Sequence, residues 1–384
     1  MKQWKPGKVT LACDQLREHI AGKKIALMMN TSATDNEGRL LLDVIAQEKW
    51  ADVTFFMGME HGVRGNLYAC HGDTSDIDEK TGVKIVSLYQ YPGNRPPAEL
   101  VGQVDAVVFC AQDVGVRHWT YTPWMMTLID SCAKADRECI ILDRPNPIRG
   151  DIVEGAPAET KLISGLLAGF EYPLRHGMTI GELALMYNDV RKVGAKLTVL
   201  KMEGWKRDMW YDETGLIWMP PSPNIPTADS ALYFCTTGLI QASNLSLGIK
   251  STTPFQYIGH PDMSGDALAD ELNSRGLEGV YFVPKYYMAQ VYGTPDPVLC
   301  DGVFMVIHDR NAFSPVNVQL HIMDALVKVF PEVNLERHRL ARPRMCTDKI
   351  CDAALRKESL APIMAEWEQG AKDFMEQRKP YLLY

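Results

Sequence analysis

The chain has 384 residues, 46% of them hydrophobic and 23% charged, which is typical of a globular protein of two domains. Its 48 acidic and 40 basic residues give a net charge of −8, and this balance argues against nucleic acid as a partner. The longest apolar stretches, 106–111 and 124–129, are far shorter than the roughly 18 residues that span a bilayer. We therefore expect a soluble protein with no membrane partner.

The first residues and the cysteines indicate the compartment. Met1–Thr10 is followed by Asp14, Arg17 and Glu18 where an export signal would have an apolar core. The nine cysteines are scattered singly with no C-x-x-C pair, which favours buried free thiols over disulfides or a zinc site. These features predict a cytoplasmic protein, or a periplasmic one if an export signal has been removed.

Strand-like and helix-like segments alternate in the first half of the chain. Apolar runs predict strands at 24–29, 53–57, 84–89, 106–110 and 139–142, and helical spacing predicts helices at 40–48 and 124–135. Nearly continuous apolar strands in β-α alternation predict an α/β fold with a mostly parallel sheet covered on both faces. Neither a G-x-G-x-x-G nor a P-loop motif occurs, and no cofactor is predicted.

A second unit follows a Gly- and Pro-interrupted region, and we predict domains at 1–165 and 166–384. The second unit opens with a helix at 179–190, for which Thr179 and Glu182 form a capping box. Strands are predicted at 197–201, 280–284 and 302–308, helices at 228–239, 266–274 and 316–329, and two amphipathic helices in a tail at 348–375.

Polar clusters follow four of the predicted strands. Because ligands of parallel sheets lie outside the carboxyl ends of the strands, these clusters predict a site at one sheet edge. They are Asn30-Thr31-Ser32, Glu60-His61-Gly62-Val63-Arg64-Gly65, Gln112-Asp113-Val114-Gly115-Val116-Arg117 and Asp143-Arg144-Pro145-Asn146-Pro147.

Glu60 is the strongest candidate for a catalytic group. Desolvation of a carboxyl at a sheet edge raises its pKa into the range that suits a general acid. The alternative interpretation is a surface glutamate that caps the next helix.

Asp113, Asp143 and Glu154 are candidates for a second carboxylate. Glycosidic hydrolysis uses two carboxyl groups, one to protonate the leaving oxygen and one as nucleophile or base. Structural ion pairs, such as Asp113 with Arg117, are the alternative.

Four arginines, Arg64, Arg117, Arg144 and Arg175, belong to the loop clusters. Guanidinium groups that converge on a cleft favour an anionic substrate, because their planar fork binds a carboxylate through two hydrogen bonds. The alternative is that they neutralise the clustered acids. The nine histidines lack the spacing of metal ligands, and no metal site is predicted.

Eight motifs in fixed order resemble one known family. They are the four clusters above, the third with Tyr121-Thr122 and the fourth starting at Leu142, then Val153-Glu154-Gly155, Arg175-His176-Gly177-Met178-Thr179, Met202-Glu203-Gly204-Trp205 with Arg207-Asp208-Met209, and Pro221-Ser222-Pro223-Asn224-Ile225-Pro226. Together they resemble the exo-β-N-acetylmuramidase family of the NamZ type, over residues 20–330.

The resemblance implies a Rossmann-like N-terminal domain, a smaller C-terminal α/β domain and a catalytic cleft between them. It also implies release of terminal N-acetylmuramic acid from the non-reducing end of peptidoglycan fragments, with Glu60 as the key catalytic residue. The small-molecule partner would be this carbohydrate, whose lactyl carboxylate gives the arginines a purpose. The expected substrate-binding residues are Asn30, His61, Arg64, Gln112, Arg117, Tyr121, Arg144, Asn146, Arg175, His176, Ser222, Asn224 and Asn244.

Three positions depart from the pattern expected of that family. Gln241, Ile249 and Gln256 stand where an acid, an arginine and an acid are expected. Because each change removes a charge, two hypotheses remain open: a glycosidase of altered specificity, and a non-catalytic protein that binds a sugar or small acid.

Overall fold

Six parallel strands form the larger sheet of the computed structural model, which describes residues 7–67, 71–72, 76–163, 168–291, 296–335 and 341–384. The predicted domain boundary at 165–166 lies outside these residues. The strands of this sheet are β1 (Lys24–Met29), β2 (Asp52–Gly58), β3 (Lys84–Ser87), β4 (Ala106–Cys110), β5 (Glu138–Leu142) and β6 (Lys196–Leu200).

The strand order is β3-β2-β1-β4-β5-β6, with every neighbouring pair parallel. This is the order of doubly wound, Rossmann-type sheets. Side chains alternate between two hydrophobic layers: Val107 and Phe109 of β4 pack on one face, and Val108 and Cys110 on the other. The predicted parallel sheet with two covered faces is therefore confirmed.

Helices cover both faces of the sheet and continue through the second unit. They are α1 (Cys13–Ile20), α2 (Leu41–Gln47), α3 (Ala98–Val101), α4 (Tyr121–Ala135), α5 (Ile180–Val190), α6 (Tyr211–Thr214), α7 (Ser230–Thr237), α8 (Gly265–Asn273), α9 (Pro315–Val329), α10 (Ala341–Met345), α11 (Lys349–Arg356) and α12 (Ala361–Gln377). Thr179 and Glu182 form the predicted capping box at the start of α5. Within the described ranges, no helix is long and apolar enough to cross a membrane.

A smaller antiparallel sheet lies in the second unit. Its strands are β7 (Tyr257–His260), β8 (Val280–Ala289) and β9 (Val298–Ile307), in the order β7-β9-β8. β8 continues five residues beyond Pro284, where the predicted strand ended, because an edge strand tolerates a residue without an N–H. One hydrophobic cluster includes Phe282 of β8 and Phe109 of β4, so the two units share a core.

The predicted strand at 197–201 belongs to the large sheet, as β6, and not to the second unit. The C-terminal residues also return to this sheet. Arg378 donates to the carbonyl oxygen of Gly150 at 2.8 Å, and the Leu383 N–H donates to Glu182 Oε1 at 2.8 Å. The chain therefore crosses between the units more than once.

Candidate active site

Glu60 lies two residues beyond the end of β2, at the carboxyl edge of the large sheet. Its side chain is buried, with 8% of the residue exposed. The Tyr89 hydroxyl donates a hydrogen bond to Glu60 Oε2. This carboxyl is therefore held by a neutral donor at the edge where the sequence predicts a site.

The backbone turns sharply after Glu60. His61 and Gly62 have φ angles of 67° and 72°, a left-handed conformation that glycine adopts without strain. The Gly62 N–H donates to the Met59 carbonyl oxygen at 2.9 Å, and His61 Nδ1 lies 2.9 Å from the Leu67 carbonyl oxygen. Because a carbonyl only accepts, Nδ1 carries the proton, and this histidine secures the loop.

A hydrogen-bonded group of three residues lies beside Glu60. Asn30 Nδ2 donates to the Tyr121 hydroxyl, which in turn donates to the Pro221 carbonyl oxygen at 2.5 Å. The same hydroxyl lies 3.5 Å from the Glu60 backbone oxygen. Burial and then the Glu60 charge raise the pKa of Tyr121 well above its usual value. Tyr121 keeps its proton and joins the ends of β1 and β2 to the Pro-rich loop.

Ser222 and Asn224 continue this loop. Ser222 Oγ accepts a hydrogen bond from the Asn224 N–H at 3.3 Å, and Asn224 Oδ1 accepts one from the Lys250 N–H at 3.3 Å. The loop thus links the Glu60 region, through Pro221, to the second unit. These contacts connect Asn30, Tyr121, Ser222 and Asn224, whose predicted role in substrate binding stays a prediction.

The arginines behave differently from the predicted carboxylate clamp. The first, Arg64, forms two hydrogen bonds with Asp78 and a 2.8 Å ion pair with Asp43. Arg175 is buried and lies 2.6 Å from Glu154 Oε1, with a second bond to the Ile148 carbonyl oxygen. These two neutralise acids, which was the alternative interpretation.

The other two arginines bind backbone oxygens. Arg117 donates to the carbonyl oxygens of Ala156, Tyr172 and Met345, each at 2.9 Å. Arg144 donates to the Thr34 carbonyl oxygen at 2.9 Å. Both guanidinium groups are buried inside the chain, where their hydrogen bonds hold loops together. Their predicted contact with an anionic substrate stays a prediction.

Gln112 and Asn146 also support the loops. Gln112 Nε2 donates to the carbonyl oxygens of Asp113 and Pro145, both at 2.8 Å, and its Oε1 accepts from Arg144. Asn146 Nδ2 donates to the Met178 carbonyl oxygen at 3.0 Å. The structure places these predicted substrate-binding residues in the framework behind the site.

Asp113 and His176 form a buried pair. His176 Nε2 lies 3.3 Å from Asp113 Oδ2, and His176 Nδ1 accepts the Met178 N–H at 3.2 Å. Asp113 also accepts the Gly115 N–H at 2.7 Å and the Thr122 hydroxyl at 3.1 Å. These contacts fix the loop after β4.

Asp143 is fully buried and accepts four hydrogen bonds. The donors are the N–H groups of Arg144 (3.0 Å) and Gly181 (2.8 Å) and the hydroxyls of Thr179 (2.7 Å) and Tyr384 (2.8 Å). Burial raises the pKa of Asp143 to about 7. Asp143 therefore helps to hold the start of α5, and its predicted place in a catalytic pair stays a prediction.

Glu154 contacts the start of α9 in the second unit. In addition to its ion pair with Arg175, Glu154 accepts hydrogen bonds from the Ser314 hydroxyl at 2.9 Å and from the Val316 N–H at 3.0 Å. The second contact caps the N-terminus of α9, where negative charge is favourable. Its geometry is that of a helix cap, and its predicted catalytic role stays a prediction.

In the second unit, the Asn244 side chain accepts the Asn334 N–H at 2.8 Å and donates to the Glu332 carbonyl oxygen at 3.1 Å. Of the three departing positions, Gln241 accepts a hydrogen bond from Arg344 at 2.6 Å, while Ile249 packs on the hydrophobic core. The Gln256 backbone oxygen accepts the Met305 N–H at 2.8 Å. Gln241 and Ile249 thus have neutral side chains with partners inside the chain.

Tyr89 is the residue that sequence reasoning missed. The predicted strand at 84–89 ends at Ser87, and Leu88–Gln90 forms a 3₁₀ turn that carries the hydroxyl to Glu60. Its position at the end of a strand beside β2 was the available signal.

In the described part of the chain, no three His, Cys, Asp or Glu side chains are grouped to hold a metal ion.

Two family models match consecutive parts of the chain from residue 25 onward. The N-terminal model of the exo-β-N-acetylmuramidase NamZ matches residues 25–229, and the C-terminal model matches residues 232–384. The chain belongs to the NamZ family. Membership places it among glycosidases and confirms the resemblance found in the motifs. The NamZ match also extends to residue 384, beyond the last motif.

Individual relatives agree with the NamZ assignment. The peptidoglycan β-N-acetylmuramidase NamZ of Bacillus subtilis is 34% identical over 373 residues, covering 96% of this chain and 88% of that protein. Crystal structures of two DUF1343 family proteins from Bacteroides fragilis are similar, with TM-scores of 0.89 and 0.77 at 30% and 29% identity. Each comparison covers 98% of this chain and 99% of the other.

Proposed function

We propose that the chain is an exo-acting glycosidase that releases terminal N-acetylmuramic acid, or a related acidic amino sugar, from the non-reducing end of peptidoglycan fragments. The observation that carries this proposal is the Glu60 carboxyl, which is nearly buried at the sheet edge and hydrogen-bonded by Tyr89. The peptidoglycan substrate of the Bacillus subtilis relative supports the choice of sugar.

In this proposal Glu60 protonates the oxygen of the leaving sugar as the glycosidic C–O bond breaks. Water then supplies a hydroxyl group to the anomeric carbon and returns its other proton to Glu60. Tyr89 fixes the carboxyl through Oε2, and Tyr121 positions the backbone of Glu60 against the Pro-rich loop. General acid catalysis of this kind contributes about 10² to 10⁴ in rate.

We propose no second carboxylate. Asp113, Asp143 and Glu154 each accept hydrogen bonds from within the chain, and two of them lie at helix starts. The four arginines are likewise excluded from our proposal for binding the sugar's acid group, because their guanidinium groups bind Asp, Glu or carbonyl oxygens.

A turnover assay tests the proposal. The wild-type chain should release the aglycone from a chromogenic N-acetylmuramide and act more slowly on the matching N-acetylglucosaminide. Glu60→Gln, which keeps the shape of the side chain, is the matched variant. Full activity in this variant would remove Glu60 from the mechanism.

Because Asp113, Asp143 and Glu154 are all hydrogen-bonded within the chain, a second candidate function is a protein that binds the same sugar without cleaving it. A ligand that binds only the folded state raises the melting temperature by mass action. A melting shift with muramic acid derivatives, together with no product after prolonged incubation, would select this candidate.

We also propose that the protein acts in the cytoplasm, in the recycling of cell-wall fragments. The eight cysteines in the described ranges are all free and buried, which agrees with a reducing compartment. Fractionation of cells that express the chain at its natural level tests this location, and recovery with periplasmic markers would contradict it.

A further inference from the structure

β8 is the edge strand of the small sheet, with β9 as its neighbour on one side. The register between the two strands runs without a shift from Val280 to Ala289. In an antiparallel pair, alternate residues direct their N–H and C=O groups towards the neighbour, and the residues between them direct theirs away.

The Asn273 side chain shows which residues of β8 face outward. Its Oδ1 accepts the Phe282 N–H at 3.0 Å, and its Nδ2 donates to the Phe282 carbonyl oxygen at 2.8 Å. Phe282 therefore faces away from β9. Pro284, Tyr286 and Met288 have the same parity, so their backbone groups also face the open edge.

Only part of this edge is protected. Asn273 satisfies Phe282, and Pro284 has no N–H to offer, both of which are ways in which natural proteins block edge strands. In the described residues, no hydrogen bond reaches the outward N–H and C=O groups of Tyr286 and Met288. The open segment of the edge is therefore short and begins after Pro284.

Large apolar side chains surround the open segment. Tyr286, Met288 and Leu299 are 66%, 62% and 57% exposed. Leu299 pairs with Met288 across the two strands, so all three lie on one face. The other face is packed here, because Ala289 and Cys300 are buried in a separate cluster.

We propose that this open segment pairs with the same segment of a second copy of the chain, antiparallel about a two-fold axis at Tyr287. In this register Tyr286 lies opposite Met288 of the partner subunit. The outward N–H and C=O groups of both residues are then satisfied by four hydrogen bonds between the strands. The two small sheets become one continuous sheet of six strands.

The chemistry of the segment favours a second copy over a free peptide. A strand that is already ordered loses little conformational entropy on pairing, whereas a free peptide must be ordered by these few contacts. Charge does not oppose the pairing, because Lys285 lies opposite Ala289 of the partner subunit and not opposite another lysine. Pro284 ends the ladder on each side.

We expect a weak dimer. The contact is smaller than the roughly 800 Å² per partner of a standard interface, so the dissociation constant should exceed about 10 μM. Sedimentation equilibrium from about 10 μM to about 1 mM should show the mass rising from one chain towards two.

Two charge substitutions test the surface. Met288→Lys should weaken the dimer by at least about tenfold, because it places a charge in the apolar contact. Tyr281→Lys is the matched control: Tyr281 is 55% exposed on the same strand but outside the segment, and its variant should change the constant less than about twofold. Equal effects of the two variants, or a monomer at every concentration, would overturn the proposal.

Crosslinking tests the register. Paired residues of an antiparallel ladder have Cα atoms about 5.5 Å apart, which suits a disulfide. A mixture of Tyr286→Cys and Met288→Cys chains should crosslink at least about tenfold faster than either variant alone. Equal rates would refute the register, and binding of an extended peptide by a strictly monomeric chain would assign the edge to a peptide instead.

Discussion

Glu60 and Asp143 are two buried carboxyl groups at the same edge of the same sheet, after β2 and β5. Glu60 keeps 8% exposure and accepts the Tyr89 hydroxyl, whereas Asp143 is fully buried and accepts four donors. The difference comes from what the following chain brings back: the start of α5 closes over Asp143, while the turn at His61 and Gly62 leads away from Glu60. A position after a strand therefore identifies candidate catalytic carboxyl groups. The segment that packs against each carboxyl then determines whether it is enclosed by donors or left at the site.

Removing each carboxyl charge gives the largest contrast. Glu60→Gln should lower kcat by about 10² to 10⁴ while leaving the melting temperature nearly unchanged, because it removes an acid proton and little packing. Asp143→Asn should retain kcat per folded molecule and lose stability. A kcat loss of the same size in both variants, measured by active-site titration and steady-state kinetics, would erase the distinction.

The framework behind Asp143 can be tested at Arg175. Arg175→Met should lower the free energy of unfolding by about 3 to 5 kcal/mol, because it removes the buried partner of an ion pair and leaves the partly buried Glu154 carboxylate unpaired by Arg175. Arg39→Met is the control, since Arg39 is half-exposed and its ion pairs are worth about 1 kcal/mol or less. Urea unfolding of both variants measures the difference. If Arg175→Met selectively lost binding of an acidic sugar, Arg175 would be assigned to substrate binding.

The raised pKa of Asp143 predicts a pH dependence of stability. Because burial raises the pKa from 3.8 to about 7, the folded chain binds this proton more tightly than the unfolded chain. The contribution of Asp143 to the free energy of unfolding is complete below about pH 4 and is lost as the pH rises through about 7. Over that range the free energy of unfolding should fall by up to about 1.4 kcal/mol per pH unit. Urea unfolding at several pH values should show this slope, and Asp143→Asn should flatten it. An unchanged slope in the variant would place the titration elsewhere.

Tyr89→Phe should have the smallest effect. Loss of the hydrogen bond from Tyr89 should reduce kcat by about tenfold, because the Glu60 carboxyl loses its fixed orientation. The melting temperature should stay within about 2 °C, since the hydroxyl contributes little packing. Kinetics on the N-acetylmuramide measure the effect, with Tyr91→Phe as the control. Equal activity of Tyr89→Phe and the wild-type chain would make the contact incidental.

The large sheet was predictable because its signal is local. Apolar runs such as Lys24–Met29 and Ala106–Cys110 coincide with strands. Because ligands of parallel sheets lie outside the carboxyl ends of the strands, Asn30 and Glu60 were predicted at the same sheet edge. The function of the arginines was not predictable from spacing. Arg117 is bound by Met345, which is 228 residues away in the chain, and no pattern around residue 117 encodes that partner.

The same limit explains the carboxylates. Asp143 and Glu154 follow β5 at positions that suit a cleft, but the donors that enclose them come from Thr179, Ser314 and Tyr384. Tyr89 was missed for the opposite reason, because a local change from strand to 3₁₀ turn re-aimed its hydroxyl. Sequence periodicity does not predict hydrogen bonds from residues far away in the chain, nor a short departure from regular strand geometry.

The bond between Tyr384 and Asp143 has a consequence for synthesis. The two residues are 241 positions apart, so a ribosome releases the whole large sheet long before the hydroxyl that completes its last buried acceptor. At about 5 to 20 residues per second, translation of the intervening residues takes tens of seconds or less. During that interval the nascent N-terminal unit must keep Asp143 hydrated or protonated. The sheet edge at Asp143 therefore closes only after Tyr384 has been synthesised.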